Sequence, residues 1–251
     1  METISVVLAT YNEEKNIAQC LDSVKEFADE IVVVDGSSKD NTVAIANKYH
    51  AKVIVTNNPQ IFHINKQKAI DMATKKWVLQ LDADERVTVP LKNEIKEKIN
   101  SSSDCNGYWL PRKNFFLGRF LMKGGQYPDY TLRLYKRGKG RLPQKDVHEQ
   151  AVVDGTIGYL SHPLIHIADP EFGRYMVRFN RYTSLMASQL KEKKEKKNLI
   201  FSIKYTILLP TWWFFLTYVR HKGFMDSWQG FVSSFFSALR FPVSYIKYIN
   251  S

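Results

Sequence analysis

Trp77-Val78-Leu79-Gln80-Leu81-Asp82-Ala83-Asp84 is a short apolar run, broken only by Gln80, that stops on two carboxylates. Its length and composition read as a strand buried on both faces. Two earlier stretches share this build. Ile4–Ala9 runs into Thr10-Tyr11-Asn12-Glu13, and Ile31–Val34 runs into Asp35-Gly36-Ser37-Ser38. Lys52–Thr56 reads as a further strand. Between these runs the apolar spacing lengthens to that of helices. Ile17, Leu21 and Val24 follow Asn12, which can cap a helix with Glu13 and Glu14 in its first turn. Asp40 can cap a second helix ending near His50, and 64–75 forms a third. Thr88-Val89-Pro90 opens a fourth, with Leu91, Ile95 and Ile99 on one face.

Strand–helix alternation at this spacing predicts a mostly parallel, doubly wound α/β sheet with helices on both faces. Ligands of such sheets bind outside the carboxyl ends of the strands. The polar clusters at Thr10–Glu13, Asp35–Ser38 and Asp82–Asp84 all fall at those ends, so folding gathers them into one crevice. Strand one is followed by Thr10-Tyr11-Asn12-Glu13 and not by a glycine fingerprint, which disfavours a dinucleotide-dependent oxidoreductase.

Composition bounds the remainder. The 251 residues suffice for one α/β domain with an appendage, and 44% hydrophobic with 24% charged residues excludes wholesale disorder. Two cysteines, Cys20 and Cys105, cannot build a disulfide framework or a zinc cluster. Cys20 falls on core positions, and a reducing compartment is expected. Met1 leads almost directly into Ile4–Ala9, so no signal peptide is expected and the protein is placed on the cytoplasmic side. Residues 1–100 carry 13 Lys/Arg and 15 Asp/Glu, whereas 101–251 carry 23 and 10. The basic back half calls for an anionic partner. No nucleic-acid motif is present, so an anionic membrane surface is the expected partner, the alternatives for the C-terminal region being an internal helical layer packed on the catalytic domain or an oligomer interface.

After residue 100, Gly107–Phe116 and Thr131–Lys136 read as strands, and 174–198 as a basic helix ending in Lys191–Lys197. Leu199–Val219 approaches the length of a membrane span. Lys204 and Pro210 interrupt it, and the remaining Tyr205–Val219 is too short to cross. The aromatic and basic mixture of Phe224–Ile249 suits a helix lying in the headgroup region. The expected domains are a catalytic domain over 1–170, divided into a 1–100 half and a 101–170 half, and a helical, amphipathic membrane-associating region over 171–251. Oligomeric state is left open.

Three motifs are Val6-Val7-Leu8-Ala9-Thr10-Tyr11-Asn12-Glu13, Ile31 to Thr42 with its Asp35-Gly36-Ser37-Ser38-Lys39-Asp40 centre, and Leu81-Asp82-Ala83-Asp84-Glu85. In order and spacing they resemble the family-2 glycosyltransferases of GT-A fold. Tyr127-Pro128-Asp129, Arg133-Leu134-Tyr135, Val147-His148-Glu149, Asn180-Arg181-Tyr182 and Lys222-Gly223-Phe224-Met225-Asp226 are similar to a narrower branch, bacterial lipopolysaccharide-core β-glucosyltransferases. The resemblance implies inverting transfer of a sugar from a nucleotide-sugar donor to a lipid-linked or lipopolysaccharide acceptor. UDP-glucose is the expected donor, with GDP and dTDP left open. Work at the inner face of the membrane follows. The alternative is a catalytically silent sugar-nucleotide-binding or membrane-adaptor protein.

The chemistry needs a cation where the diphosphate departs. Mg²⁺ or Mn²⁺ serves when one or two carboxylates and the phosphate oxygens surround it. The resemblance makes Asp84 the direct ligand and Asp82 a ligand or ribose contact, provided the chain turns between them. His166 is a further metal or diphosphate contact, or else a structural histidine. Asp35 either accepts the uracil imide N–H or organises the Gly36-Ser37 turn. Thr10, Tyr11, Glu13 and Ser37 frame the nucleoside. Lys66 and Lys68 either neutralise phosphate or lie on a solvated helix face. Arg133 either steadies the diphosphate or an acidic acceptor, or packs its stem on a strand. A general base must take the acceptor proton, and Glu149 is preferred over Asp129. His148 departs from the acidic pair usual at that position.

Overall fold

The structure, a computed structural model, describes residues 1–59, 61–102, 104–144, 150–195 and 197–251. It divides into two compact units. The first comprises Met1–Arg112 and Tyr130–His166, the second Lys113–Asp129 and Ile167–Ser251.

The first hundred residues run β1 (Ile4–Thr10), α1 (Ile17–Asp22), β2 (Glu30–Asp35), α2 (Thr42–Lys48), β3 (Lys52–Val55), α3 (His63–Asp71), β4 (Trp77–Leu81), β5 (Glu85–Val87) and α4 (Val89–Asn100). Then follow β6 (Gly107–Phe116), β7 (Arg119–Phe120), β8 (Asp129–Lys136), β9 (Gly140–Arg141), β10 (Val152–Val153), β11 (Ile157–Tyr159) and β12 (Leu164–Asp169). The main strand order is β3-β2-β1-β4-β8-β6-β12-β5. Pairing is parallel from β3 to β4, antiparallel between β4 and β8, and antiparallel again between β12 and β5.

Successive side chains of a strand point to opposite faces, and here both faces are covered. Val6, Leu8, Val33, Leu79 and Leu81 pack with Ile17 and Leu21 of α1 and with Leu91, Ile95 and Ile99 of α4. Val7, Val32, Val34 and Val78 pack on the other face with Ala69 and Ile70 of α3. Two-sided burial is why these strands read as continuous apolar runs instead of alternating ones. Thr88 caps α4 as expected, its hydroxyl accepting from Leu91 N. Asn12 does not cap a helix. It takes a positive φ of 54°, its side chain accepts from Lys39 N, and α1 starts only at Ile17. Asparagine tolerates that backbone region because its short amide bonds locally.

In the second unit, α5 (Phe172–Glu192) packs against a C-terminal helix, Ser227–Ile249. Asp226, just before that helix, is buried and accepts from Met122 N at 2.8 Å and Lys123 N at 2.7 Å, so the Lys222–Asp226 motif organises the local backbone. A Cβ on Gly230 would run into the Gly223 carbonyl, which requires glycine there. The expected interruption of Leu199–Val219 is not found. Leu199–Arg220 is one helix of 22 residues, long and apolar enough to cross a membrane by length and composition. Pro210 lies inside this helix, at the start of its α-helical middle, Leu209–Phe214. π-helical turns at Lys204–Leu208 and Phe215–Arg220 flank that middle.

Candidate active site

The strand ends converge as the sequence implies. Thr10 pairs with Asp35 across β1 and β2, and Leu8 pairs with Leu81 across β1 and β4. Asp35 and Asp82 therefore stand two strands apart on one edge, about 10 Å at the usual strand spacing.

The loops there are bonded to one another. Asp35 is fully buried and accepts from Thr10 Oγ1 at 2.8 Å, Ser38 N at 2.7 Å and Ser38 Oγ at 2.6 Å. Both carboxylate oxygens organise the turn: Oδ2 takes the Thr10 and Ser38 hydroxyls, and Oδ1 takes the Ser38 N–H. Gly36 N donates to Thr10 O, Ser37 Oγ to Thr56 O, Asn12 N to Ser38 Oγ, and Glu13 N to Thr42 Oγ1. Glu13 also accepts from Asn16 Nδ2 at 2.7 Å. Tyr11 is exposed beside the buried Thr10, so of this loop it is the ring offered to a ligand. Lys68 lies on the solvated face of α3, 3.4 Å from Thr56 Oγ1.

The chain does turn between the two aspartates. Glu85 N donates to Asp82 O at 2.9 Å, and the Arg86 guanidinium donates to Ala83 O at 2.7 Å and Glu85 O at 2.8 Å. Cys20, buried under the turn, donates its thiol to Asp82 O at 3.5 Å, and burial pushes that thiol up. The turn sends the two carboxylates to different partners.

Asp82 enters a network of buried charge. Its Oδ1 meets Lys66 Nζ, and its Oδ2 accepts from Arg133 at 2.6 Å. Arg133 also donates to Glu85 at 3.0 Å, and Arg112 stands 3.7 Å from the same carboxylate. Glu85 is fully buried, and Lys66 and Arg133 are nearly so. Burial alone would raise the Asp82 carboxyl, but Arg133 and Lys66 outweigh it and hold it far below the usual carboxylate range. Burial depresses the Lys66 ammonium, with Asp82 working against that shift. Arg133 thus does more than pack its stem on the strand. It is the cation shared by Asp82 and Glu85. Sequence reading missed this network, although an arginine between Leu132 and Leu134 and a glutamate closing Asp82-Ala83-Asp84-Glu85 were its signals.

Asp84 meets His166, whose Nε2 lies 3.6 Å from Asp84 Oδ1. The ladder between β5 and β12 explains this, because His166 is the direct partner of Glu85, the residue after Asp84. One carboxylate and one imidazole form a mixed O/N donor pair that could hold a divalent cation. Among the described residues no group of three or more His, Cys, Asp or Glu forms a complete protein cage. Both Asp82 oxygens face Lys66 and Arg133, whereas Asp84 faces the His166 imidazole. Asp129 opens β8 and accepts from Asn114 Nδ2 at 3.1 Å. Glu149, the preferred base, and His148 lie outside the described residues.

A family model described as Glycosyl transferase family 2 matches residues 5–150, which include all three strand-end motifs. The chain belongs to glycosyl transferase family 2. This family-2 glycosyltransferase is similar to an uncharacterized glycosyltransferase of Rickettsia felis, 30% identical over 93% of this chain and 85% of the relative. It is also similar to the lipopolysaccharide core biosynthesis glycosyltransferase LpsC of Rhizobium meliloti, 28% identical over 94% and 91%. Two solved structures share its fold at 15% identity. The mannosyltransferase PcManGT of Pyrobaculum calidifontis, in complex with GDP-Man and Mn²⁺, has a TM-score of 0.56 over 99% of this chain and 87% of that one. TarS of S. aureus, residues 1–349, has a TM-score of 0.52 over 98% and 91%. The family-2 enzyme therefore has the GT-A fold with a helical C-terminal region, and it is a glycosyltransferase using a nucleotide-sugar donor.

Proposed function

We propose that the enzyme moves a hexose, with inversion, from a UDP-sugar such as UDP-glucose to a lipid-linked or lipopolysaccharide-core acceptor, at the inner face of the membrane. The observation that carries this reading is the Asp84–His166 pair at the end of β4, beside the Asp82 charge network. These two residues would hold Mn²⁺, or Mg²⁺ less favourably, and the bound ion would neutralise charge on the departing diphosphate. Asp82, anchored to Lys66 and Arg133, borders the ribose and diphosphate. Thr10, Tyr11, Glu13 and Ser37 surround the nucleoside, and Asp35 shapes their loop. Glu149, or failing it Asp129, takes the acceptor hydroxyl proton as the oxygen bonds to the anomeric carbon and the bond to the diphosphate breaks.

The similarity to LpsC supports a lipopolysaccharide-core acceptor, and the exposed apolar and basic surface of the second unit supports work at a membrane. The catalytic groups are assigned to residues 1–170 and membrane attachment to 171–251. A screen of nucleotide-sugars with and without Mn²⁺, using extracted lipopolysaccharide core as acceptor, tests the reading. Metal-dependent consumption of one UDP-sugar with transfer to the core is expected. Turnover of no nucleotide-sugar under any condition would leave only a binding protein.

A further inference from the structure

The helix Leu199–Arg220 packs one side on the C-terminal helix along its whole length. Phe201 and Tyr205 meet Tyr245 with ring centroids 5.8 Å apart in each case, Trp213 meets Phe241 at 5.9 Å and donates to Ser237 Oγ at 2.8 Å, and Phe214 and Tyr218 meet Phe231. Phe201, Tyr205, Leu209, Trp213 and Thr217, a strict step of four, are all at least partly buried, as are Phe214 and Tyr218 beside them. An ideal α-helix drifts by about 40° at each such step, so the row would leave its partner within a few turns. The two π-helical turns, wider than α, keep it in place.

Holding one row against the partner keeps another row outward. Ile200, Ile203, Ile207, Leu208, Trp212 and Phe215 are all exposed, from 39% at Ile203 to 80% at Ile200. The ends of this apolar strip are basic: Lys191, Lys193, Lys194 and Lys197 precede it, Arg220 and Lys222 follow it, and all are exposed.

At about 1.5 Å per residue the helix reaches roughly 33 Å, enough to span a hydrocarbon core. Three observations oppose spanning. Its inner side is taken by the C-terminal helix, which would be carried into the lipid with it. That helix is itself fastened to α5, where Lys247 Nζ donates to Asn180 O at 2.9 Å and Thr183 Oγ1 at 2.8 Å. Both ends carry lysine or arginine, whereas a spanning helix concentrates them on one side. The exposed Lys204 would also sit inside the hydrocarbon, while in a flat helix its stem reaches back to the headgroups.

We propose, resting on the membrane-surface reading above, that the strip Ile200–Phe215 lies flat in the headgroup layer of one anionic leaflet and does not cross the bilayer. Basic residues at both ends then meet acidic headgroups of the same leaflet.

The test uses the full chain and vesicles of phosphatidylcholine with or without phosphatidylglycerol. Flotation should need phosphatidylglycerol, and Ile207→Glu with Leu208→Glu should lower partitioning by roughly tenfold or more, since two exposed apolar contacts are lost. Thr211→Cys, carrying a fluorophore in a Cys105→Ser background, should be quenched by lipids spin-labelled near the headgroup. Stronger quenching by lipids labelled near the chain end would show a crossing helix and overturn the proposal. Undiminished flotation of the double glutamate variant would overturn this face while leaving membrane attachment standing. Failure of the wild type to float would remove both. Self-association lost in the double glutamate variant, without flotation, would assign the strip to a second copy of the chain.

Discussion

Replacing Arg133 with methionine removes the cation shared by two carboxylates while keeping most of the side-chain volume. Breaking a buried ion pair costs about 3–5 kcal/mol, because the remaining charge is left without compensation. The surroundings place this case near the lower bound. Asp82 keeps Lys66 and is a quarter exposed, and Glu85 keeps the Asp82 N–H at 2.9 Å and Arg112 at 3.7 Å. A loss of about 3 kcal/mol follows, which lowers Tm by roughly 6–12 °C at this chain size. Thermal unfolding followed by circular dichroism at fixed protein concentration reads it. Adding Glu85→Gln removes the stranded carboxylate and should recover about 2 kcal/mol. The penalty should also depend on pH. Asp82 has a depressed carboxyl in the fold, so its stabilisation is complete above the unfolded value of about 4 and is lost as pH falls below it. The cost of Arg133→Met should therefore shrink in acid. A Tm within about 2 °C of wild type, or no recovery in the double variant, would refute the reasoning.

Glu149→Gln should reduce transfer by about 10²–10⁴ while donor affinity stays near wild type, as loss of a general base requires. The same loss in Asp129→Asn, with Glu149→Gln active, would move the role to Asp129. His166→Ala should raise the Mn²⁺ concentration for half-maximal activity by about tenfold, near 1.4 kcal/mol, without altering acceptor KM. An unchanged metal requirement would return His166 to a structural role.

The convergence of the strand ends was legible because it rests on two local signals, the continuous apolar run of a two-sided strand and the carboxylates that stop it. Val32-Val33-Val34-Asp35 and Leu79-Gln80-Leu81-Asp82 carry both. The residues that complete the site come from pairings of long sequence separation. His166 reaches Asp84 only because β12 pairs with β5, and β5 is three residues long, too short to announce itself. Arg133 reaches Asp82 and Glu85 because β8 pairs antiparallel with β4, which composition does not reveal. Asn12 looked like a helix cap because capping asparagines and left-handed asparagines share a sequence signature. Its loop partner Lys39 decides between them. Lys204 and Pro210 looked like interruptions to a straight α-helix, and the step of four from Phe201 to Thr217 was the overlooked sign of wider turns.

Calorimetric titration of UDP into the enzyme, with and without Mn²⁺, compared between wild type and Asp84→Asn, tests the central claim most directly. The account predicts that Mn²⁺ tightens UDP binding to the wild type by about tenfold or more, and that this gain disappears in the variant while metal-free binding persists. An equal Mn²⁺ gain in both proteins would contradict it, because the cation would then be held elsewhere.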